Sequence, residues 1–434
     1  MFINKILGYV QKLLYPCYKN SVILQNIDWL IFINIILVII SSSFAQSDNI
    51  GYFALFAFIL TIIKIIFKPN EKFIMSAGDK FLLLYFLIVL ISVSGSTLLY
   101  LSFKGFCKTL IYIGFYISFI HYLKDNRDKL KYIILSICFI GLAEAFVAVH
   151  QNFLSVSAIS GWQDMSRLNP EEVMTRVYGS LKPYNPNLFG GYMVSILPVS
   201  LLCILLPLKN HHYKTSLLGF LTFILICVSI ILTGCRGAYI ALFVELLLIT
   251  LFVYRMLKPY YKKLFNILTT AISGVILFFI ITLPALRARV VSIFAMRSDS
   301  SNSFRFNVYN SCIQMFKDNW LLGIGVGNQN FRETYGLYMR TGFDALSAYN
   351  IYLETAVESG IFALIAFLGF LYANLSKAIK FILRKNNMKS VYLVISVVSI
   401  AGMLVHGFVD TVFYRPQIQF MFWIMVGIIR VLVK

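Results

Sequence analysis

The chain has 434 residues, of which 59% are hydrophobic and only 13% charged, with a mean hydropathy of +0.80. Soluble domains run nearer about 45–50% apolar and about 25% charged, so no soluble fold of this size hides so much apolar surface, and the solvent is lipid. The net charge of +20, from 38 Lys+Arg against 18 Asp+Glu, would suggest nucleic acid in a soluble protein. In a polytopic protein it must first be divided between the two sides of the membrane, and no nucleic-acid partner is expected.

Cys17, Cys107, Cys138, Cys203, Cys227, Cys235 and Cys312 form no CxxC and no Cys/His metal spacing. Neither a disulfide framework nor a zinc site is expected, and no metal or other cofactor. Residues 1–27 lack a compact apolar stretch followed by a small-residue cleavage site, so no cleavable signal is expected. Instead Ile3, Ile6, Leu7, Val10, Leu13 and Leu14 recur at helical spacing, with Lys5 and Lys12 off the stripe. That pattern predicts an amphipathic helix on the inner leaflet, acting as a topological anchor.

A membrane span needs about 20 mostly apolar residues. Twelve stretches qualify: 28–46, 50–68, 81–97, 104–122, 132–153, 188–207, 216–234, 238–254, 264–284, 351–374, 390–410 and 416–433. The third, eighth and last are short. The junction from Gly95 to Phe103 is poorly marked, which leaves ten or eleven spans as alternatives. The predicted class is an all-α polytopic membrane protein. Its organisation is an amphipathic segment (1–27), five spans (28–153), an outer loop (154–187), four spans (188–284), a large outer loop (285–350) and three spans (351–434).

Basic residues orient the chain. With the N-terminus inside, every short inner loop is basic, and inner segments hold 24 of the 38 Lys+Arg. The positive-inside rule then puts both termini in the cytoplasm. The kind of basic residue differs more than the number. Of the arginines, Arg127, Arg255, Arg384 and Arg430 fall inside. Arg167, Arg176, Arg236, Arg287, Arg289, Arg297, Arg305, Arg332, Arg340 and Arg415 fall outside. Topology explains inner Lys but not outer Arg, whose planar fork holds carboxylate or phosphate oxygens in pairs. Either these arginines pair with their own loops, or they form an anion site on the outer face.

The two outer loops contain Trp162, Tyr178, Tyr184, Phe304, Phe306, Trp320 and Phe331, too aromatic for disorder. The first runs from Arg176 through Pro183, Asn185, Pro186 and Asn187 to Gly190-Gly191, a turn at the mouth of the sixth span. It reads as a structural cap, with a ligand-contacting segment as the alternative. The second opens with Arg287-Ala288-Arg289, continues through Asp299 and Arg305 into a helix over 305–318, and reaches Gly323, Gly325 and Gly327. A dinucleotide fingerprint needs a strand before it, so these glycines are expected to give a tight turn.

Ionisable residues at membrane depth are costly and usually face a cavity or a partner. Here they are Glu144, Glu245, Glu354, Glu358, His406 and Asp410. Glu354 with Glu358, and His406 with Asp410, stand four apart on shared helix faces, with Arg415 close by. Internal pairing, His406 with Asp410 and an outer Arg with either Glu, competes with a substrate or proton-handling site. Arg236 lies in a very short turn, Thr233-Gly234-Cys235-Arg236-Gly237. It either anchors to lipid headgroups or points inward at an anion.

The Thr-Gly-Cys-Arg-Gly turn, the late outer loop with Gly-Ile-Gly-Val-Gly-Asn (323–328), and Tyr349-Asn350 through Glu354 to Glu358-Ser359-Gly360 resemble the O-antigen ligase/polymerase-like superfamily. The resemblance covers about residues 170–430. Within it, Arg289 to Phe294, Asp299 to Asn307, Leu346 to Tyr349, and Gly402 to Pro416 are similar to the cyanobacterial IctB group of proposed bicarbonate transporters. The superfamily resemblance implies a metal-independent transfer of a glycan from an undecaprenyl-diphosphate carrier at the outer face of the inner membrane. It implies that Arg236 and an arginine of the 285–305 loop (Arg287, Arg289 or Arg305) hold the diphosphate, with Arg415 a further candidate. It also implies a His just before Asn350 for the acceptor, and here that position is Tyr349, a poor base with an unperturbed pKa of about 10. Glu354 or Glu358 would have to substitute, with Asn350, His406 and Asp410 supporting. The IctB likeness implies inorganic-carbon accumulation, with bicarbonate bound by outer arginines, and it is the first expectation. Glycan transfer is the alternative, and a structural membrane subunit the third. The partners that follow are membrane lipid and either bicarbonate or a lipid-linked glycan.

Overall fold

A computed structural model describes residues 2–154, 175–295 and 299–433. Among them the chain is all-helical. An N-terminal helix α1 (Phe2–Asn20) and a short α2 (Val22–Gln25) precede α3 (Ile27–Phe44), α4 (Ser47–Phe67), α5 (Ala77–Ser94), α6 (Leu99–Asp125) and α7 (Leu130–Phe153). After the first outer loop come α8 (Pro186–Lys209), α9 (Tyr213–Leu232), α10 (Arg236–Met256) and α11 (Pro259–Thr282). The second outer segment contains α12 (Pro284–Val291), α13 (Ser300–Asp318) and α14 (Asn328–Tyr335). The chain closes with α15 (Ile351–Arg384), α16 (Met388–His406) and α17 (Pro416–Leu432). Trp162, Arg167 and Arg297 lie outside the described residues.

Eleven of these helices are long and apolar enough to cross a membrane. The twelfth predicted span, α17, has 17 residues, but its ends sit at opposite levels of the bundle. Gln417 at its start donates to the Lys182 carbonyl of the first outer loop (3.2 Å), and Arg430 at its finish pairs with Asp79 at the start of α5 (3.0 Å). The poorly marked junction is a real break. Gly95 caps α5, and α6 begins four residues later.

The core runs through α8 and α17, whose side chains are buried almost all round. α8 packs on α7, α9, α10 and α16, and α17 on α3, α6 and α16, while α11 has no buried residue. Small residues set the closest approaches. Gly190 faces Cys235 and Ala238 on α10, and Gly191 faces the His406 ring on α16.

The two ends of the bundle differ in chemistry. At one end Lys64 is fully buried and pairs with Asp28 (2.8 Å), Asp125 (3.2 Å) and Glu71 (3.9 Å). This knot joins α3, α4 and α6. It also reaches α1, whose Gln11 donates to the Ile65 and Glu71 carbonyls (2.7 and 2.9 Å). At the other end the arginines collect.

Candidate functional site

The arginine end is built on the turn from α9 to α10. Gly234 takes a positive φ of 59°, which an L side chain adopts at a cost. The turn presents the Thr233 and Gly234 carbonyls to the segments around it. Arg176, from the first outer loop and only 5% exposed, donates from Nε to the Thr233 carbonyl (2.8 Å) and from Nη2 to Asn187 Oδ1 (2.7 Å). Arg289, from α12, donates from Nε to the Gly234 carbonyl (2.7 Å). Arg236 opens α10 and turns inward. It pairs with Asp299 (2.8 Å) and donates to the Ser292 carbonyl (3.2 Å).

Three guanidiniums thus surround one short turn, with Asp299 paired to Arg236. The electrostatics follow. Burial first, then the charges of Arg176 and Arg236, push the Arg289 guanidinium down to about 10. Burial also lowers Arg176. Burial would raise the Asp299 carboxyl, but the bonds from Arg236 and the Asn302 amide outweigh it and hold the group below the usual carboxylate range. Like charges held this close lack counter-charge, so the pocket favours an added anion.

Arg305 enters from α13. Its Nη1 donates to Ser301 Oγ (3.0 Å), its guanidinium lies 5.8 Å from the Tyr349 ring centre, and its buried Nε has no hydrogen-bond partner among the described residues. A buried, unpartnered donor beside other arginines suits an oxygen ligand. Tyr349 itself has φ 50°, uncommon for a bulky residue and a feature that concentrates at functional sites. Its carbonyl accepts from Tyr309 Oη (3.2 Å). Burial raises the Tyr349 phenol above its ordinary value, so it is a still poorer base than a free tyrosine.

The remaining sequence candidates divide. Asn350 caps α15, accepting from the Tyr352 and Leu353 amides (3.0 and 2.9 Å), and donates to the Phe408 carbonyl (3.1 Å). Asp410 accepts from Asn187 Nδ2 (2.9 Å), which links it to Arg176. The pairing of His406 with Asp410 is replaced: His406 Nε2 lies 3.5 Å from Cys235 Sγ, because Gly191 and Gly237 leave room for the ring beneath the turn. Nor, among the described residues, does a predicted outer arginine form an ion pair with Glu354 or Glu358. Glu354 accepts the Ala348 amide (2.9 Å) and Glu358 the Gly327 amide (3.0 Å), so both hold loops against α15. The three glycines do form a tight turn, with φ of 73°, 95° and 122°. The turn threads into a break at Gly360, where the Ile324 and Gly325 amides bond the Val357 and Glu358 carbonyls (both 2.9 Å). Arg287 and Arg415 are exposed; Arg287 lies two residues from Arg289, on the opposite side of α12.

Arg176, Asn187 and Asp299 were not singled out as site residues in the sequence. Arg176 and Asn187 belong to the proline-rich turn read as a cap, and that turn also carries site side chains. The one available signal was the excess of outer arginine over outer acid.

The site therefore defines a polytopic membrane protein with an anion-favouring, arginine-lined end. The family model of the O-antigen ligase matches residues 221–368, about a third of the chain, from α9 into α15. The match supports the O-antigen ligase-like superfamily and spans Arg236, Arg289, Arg305, Tyr349 and both glutamates of α15. It carries nothing specific to the IctB group. No curated protein matches the chain.

Proposed function

We propose that this protein is a glycan ligase or polymerase of the O-antigen ligase type, working at the outer face of the inner membrane on a glycan carried by a lipid diphosphate. The observation that supports it most is the collection of Arg176, Arg236 and Arg289 around one turn, with Arg305 beside them holding a buried unpartnered donor. A diphosphate offers the dispersed oxygens and double charge that such a set of forks recognises. On this reading both termini and the lysine-rich end face the cytoplasm.

The chemistry is a displacement at the sugar's anomeric carbon. An acceptor hydroxyl oxygen bonds to that carbon, the carbon–oxygen bond to the diphosphate breaks, and the lipid diphosphate departs with the acceptor's proton. Charge develops on the departing diphosphate, where preorganised guanidiniums stabilise it; removing one such donor costs about 100- to 1000-fold in rate in enzymes that work this way. Tyr349, Arg305 and Asn350 would line the acceptor side. With Glu354 and Glu358 engaged by backbone amides, leaving-group stabilisation carries more of the catalysis than a side-chain base does.

The bicarbonate role implied by the IctB likeness enters as the competing outcome of the test, since no feature of the site favours a small planar anion over a diphosphate. Purified protein in liposomes is assayed for glycan transfer and for bicarbonate flux, and the deletion strain for surface polysaccharide. Transfer, with glycans shortened or unligated in the strain, is expected. Flux with unchanged glycans would overturn the proposal. Tyr349→His is expected to raise transfer, by restoring an imidazole where the superfamily has one.

A further inference from the structure

Glu144 stands on α7 and takes no direct part in the site described above. It is 2% exposed, and its carboxylate accepts at both oxygens. Oε1 takes the hydroxyl of Ser43, the last residue but one of α3, and the hydroxyl of Ser180 in the first outer loop. Oε2 takes the Ser180 amide (2.9 Å). All three donors are neutral, and hydrogen bonds to a carboxylate are of the stronger kind. The loop lies directly on the acid: any Cβ added at Gly179, whose φ is 61°, would collide with Glu144 Oε2 and the Phe189 ring.

Gln151, about two turns further along α7, shares the same helix face. Its Oε1 accepts the Tyr178 and Gly179 amides (3.1 and 3.0 Å), and its Nε2 donates to the Gly179 carbonyl (2.8 Å). The Val177 amide bonds the Leu232 carbonyl at the end of α9 (3.2 Å). The backbone amides of residues 177, 178, 179 and 180 are thus fixed one after another by a single face of α7 and the end of α9. The residue just before them is Arg176. Its Nε and Nη2 are committed to the Thr233 carbonyl and Asn187 Oδ1, and two bonds hold a planar fork in one orientation. A strap pinned in this way cannot slide without swinging that fork.

We propose that Glu144 is a positioning residue of the anion site: with Gln151 it holds the 177–180 strap so that Arg176 presents its guanidinium at the turn shared with Arg236 and Arg289. The proposal rests on the anion-site reading given above and names a residue that acts through Arg176, from a different helix. The position calls for an acceptor. Leucine there leaves the Ser180 amide and the Ser43 and Ser180 hydroxyls without their shared partner, and the strap lifts from α7. Glutamine keeps an Oε1 for the Ser180 amide, while the two hydroxyls turn to accept from its Nε2.

The test uses the full chain in detergent, with pyrophosphate as the probe and binding read by calorimetry. Arg176→Met is expected to weaken binding about 10- to 100-fold, as loss of one charge-assisted contact does. Glu144→Leu is expected to weaken it about tenfold or more, and Glu144→Gln to restore it to within about threefold of the parent. In the Arg176→Met background, Glu144→Leu is expected to add no more than about a twofold loss, whereas a general loosening of the fold would add its effect in full. Hydrogen exchange of amides 177–180 is expected to quicken in Glu144→Leu, with that of α13 unchanged. If Glu144→Leu does not fold, Gln151→Leu carries the same cycle. Parent-like affinity in the α7 variant, or losses that multiply in full in the double variant, would overturn the proposal and leave the anion site standing. Parent-like affinity in Arg176→Met would overturn the anion-site reading and the proposal with it.

Discussion

Arg289→Met separates the anion site's stability from its function. A guanidinium pushed well below its ordinary value, down to about 10, bears a cost of about 3 kcal/mol, at about 1.36 kcal/mol per tenfold change in proton affinity. Both values lie above neutral pH, so the whole cost is present at pH 7 and fades only in strong alkali. Methionine removes that cost but strands the Gly234 carbonyl that Arg289 Nε now satisfies at 2.7 Å, a loss of about 1–3 kcal/mol. The two nearly cancel, so the ligand-free variant should unfold within about 2 kcal/mol of the parent. Anion binding has no such compensation. Saturation with pyrophosphate at about 100 times its Kd stabilises the parent by about 2.7 kcal/mol. Losing one charge-assisted contact of about 1.5–3 kcal/mol weakens that binding roughly 10- to 100-fold. Thermal unfolding in detergent, titrated with pyrophosphate, reads both quantities. A folded variant that keeps the parent's pyrophosphate affinity would refute the site.

Other consequences are as direct. Lys64→Met leaves the Asp28, Asp125 and Glu71 carboxylates without their shared buried cation, and should destabilise the protein by about 3–5 kcal/mol in chemical or thermal unfolding. Burial would raise the Glu71 carboxyl, but His121, Lys64 and Lys124 hold it down at about 2 against an ordinary 4.5. Its contribution to stability is thus complete above pH 4.5 and lost as pH falls toward 2, and Glu71→Gln should flatten that acid limb. Arg287→Ala, on the exposed side of α12, should leave pyrophosphate affinity and transfer within about twofold of the parent, a surface change of the kind worth less than about 0.5 kcal/mol.

The membrane architecture was largely legible, because lipid enforces a simple rule. Each span must hide its own backbone polar groups, so runs of about 20 apolar residues map onto helices with little interference from tertiary context. All twelve predicted spans correspond to helices, and the helix expected over 305–318 is α13, buried at Val308, Ser311, Cys312 and Met315. The glycine turn was legible as a turn, but its receptor was not: nothing local announces that α15 breaks at Gly360 to receive it. Pairings across long sequence gaps were the least legible. Glu144 takes Ser43 and Ser180 as partners from two separate segments, and no spacing rule links them.

The structure sorts the lysines expected inside and the arginines expected outside by their partners rather than by their number. Not every outer arginine serves the site. Arg332 pairs with Asp344 (3.1 Å) and Arg340 with Asn307 (3.2 Å), both exposed, which is how loops use arginine to hold themselves together. Not every inner lysine merely orients the chain, since Lys64 is the buried centre of a three-helix knot. What distinguishes the functional subset is charge balance within a small volume. Lys64, Lys68 and Lys124 are matched by Asp28, Glu71 and Asp125, so their knot is closed to further anions. Arg176, Arg236 and Arg289 outnumber Asp299, so their pocket stays open to one. Residue counts along the chain cannot see this difference, because it depends on which loops fold onto the same turn. Once Thr233–Arg236 is fixed as that turn, the excess positive charge has one place to act, and the expected ligand is an anion large enough to reach several guanidiniums at once.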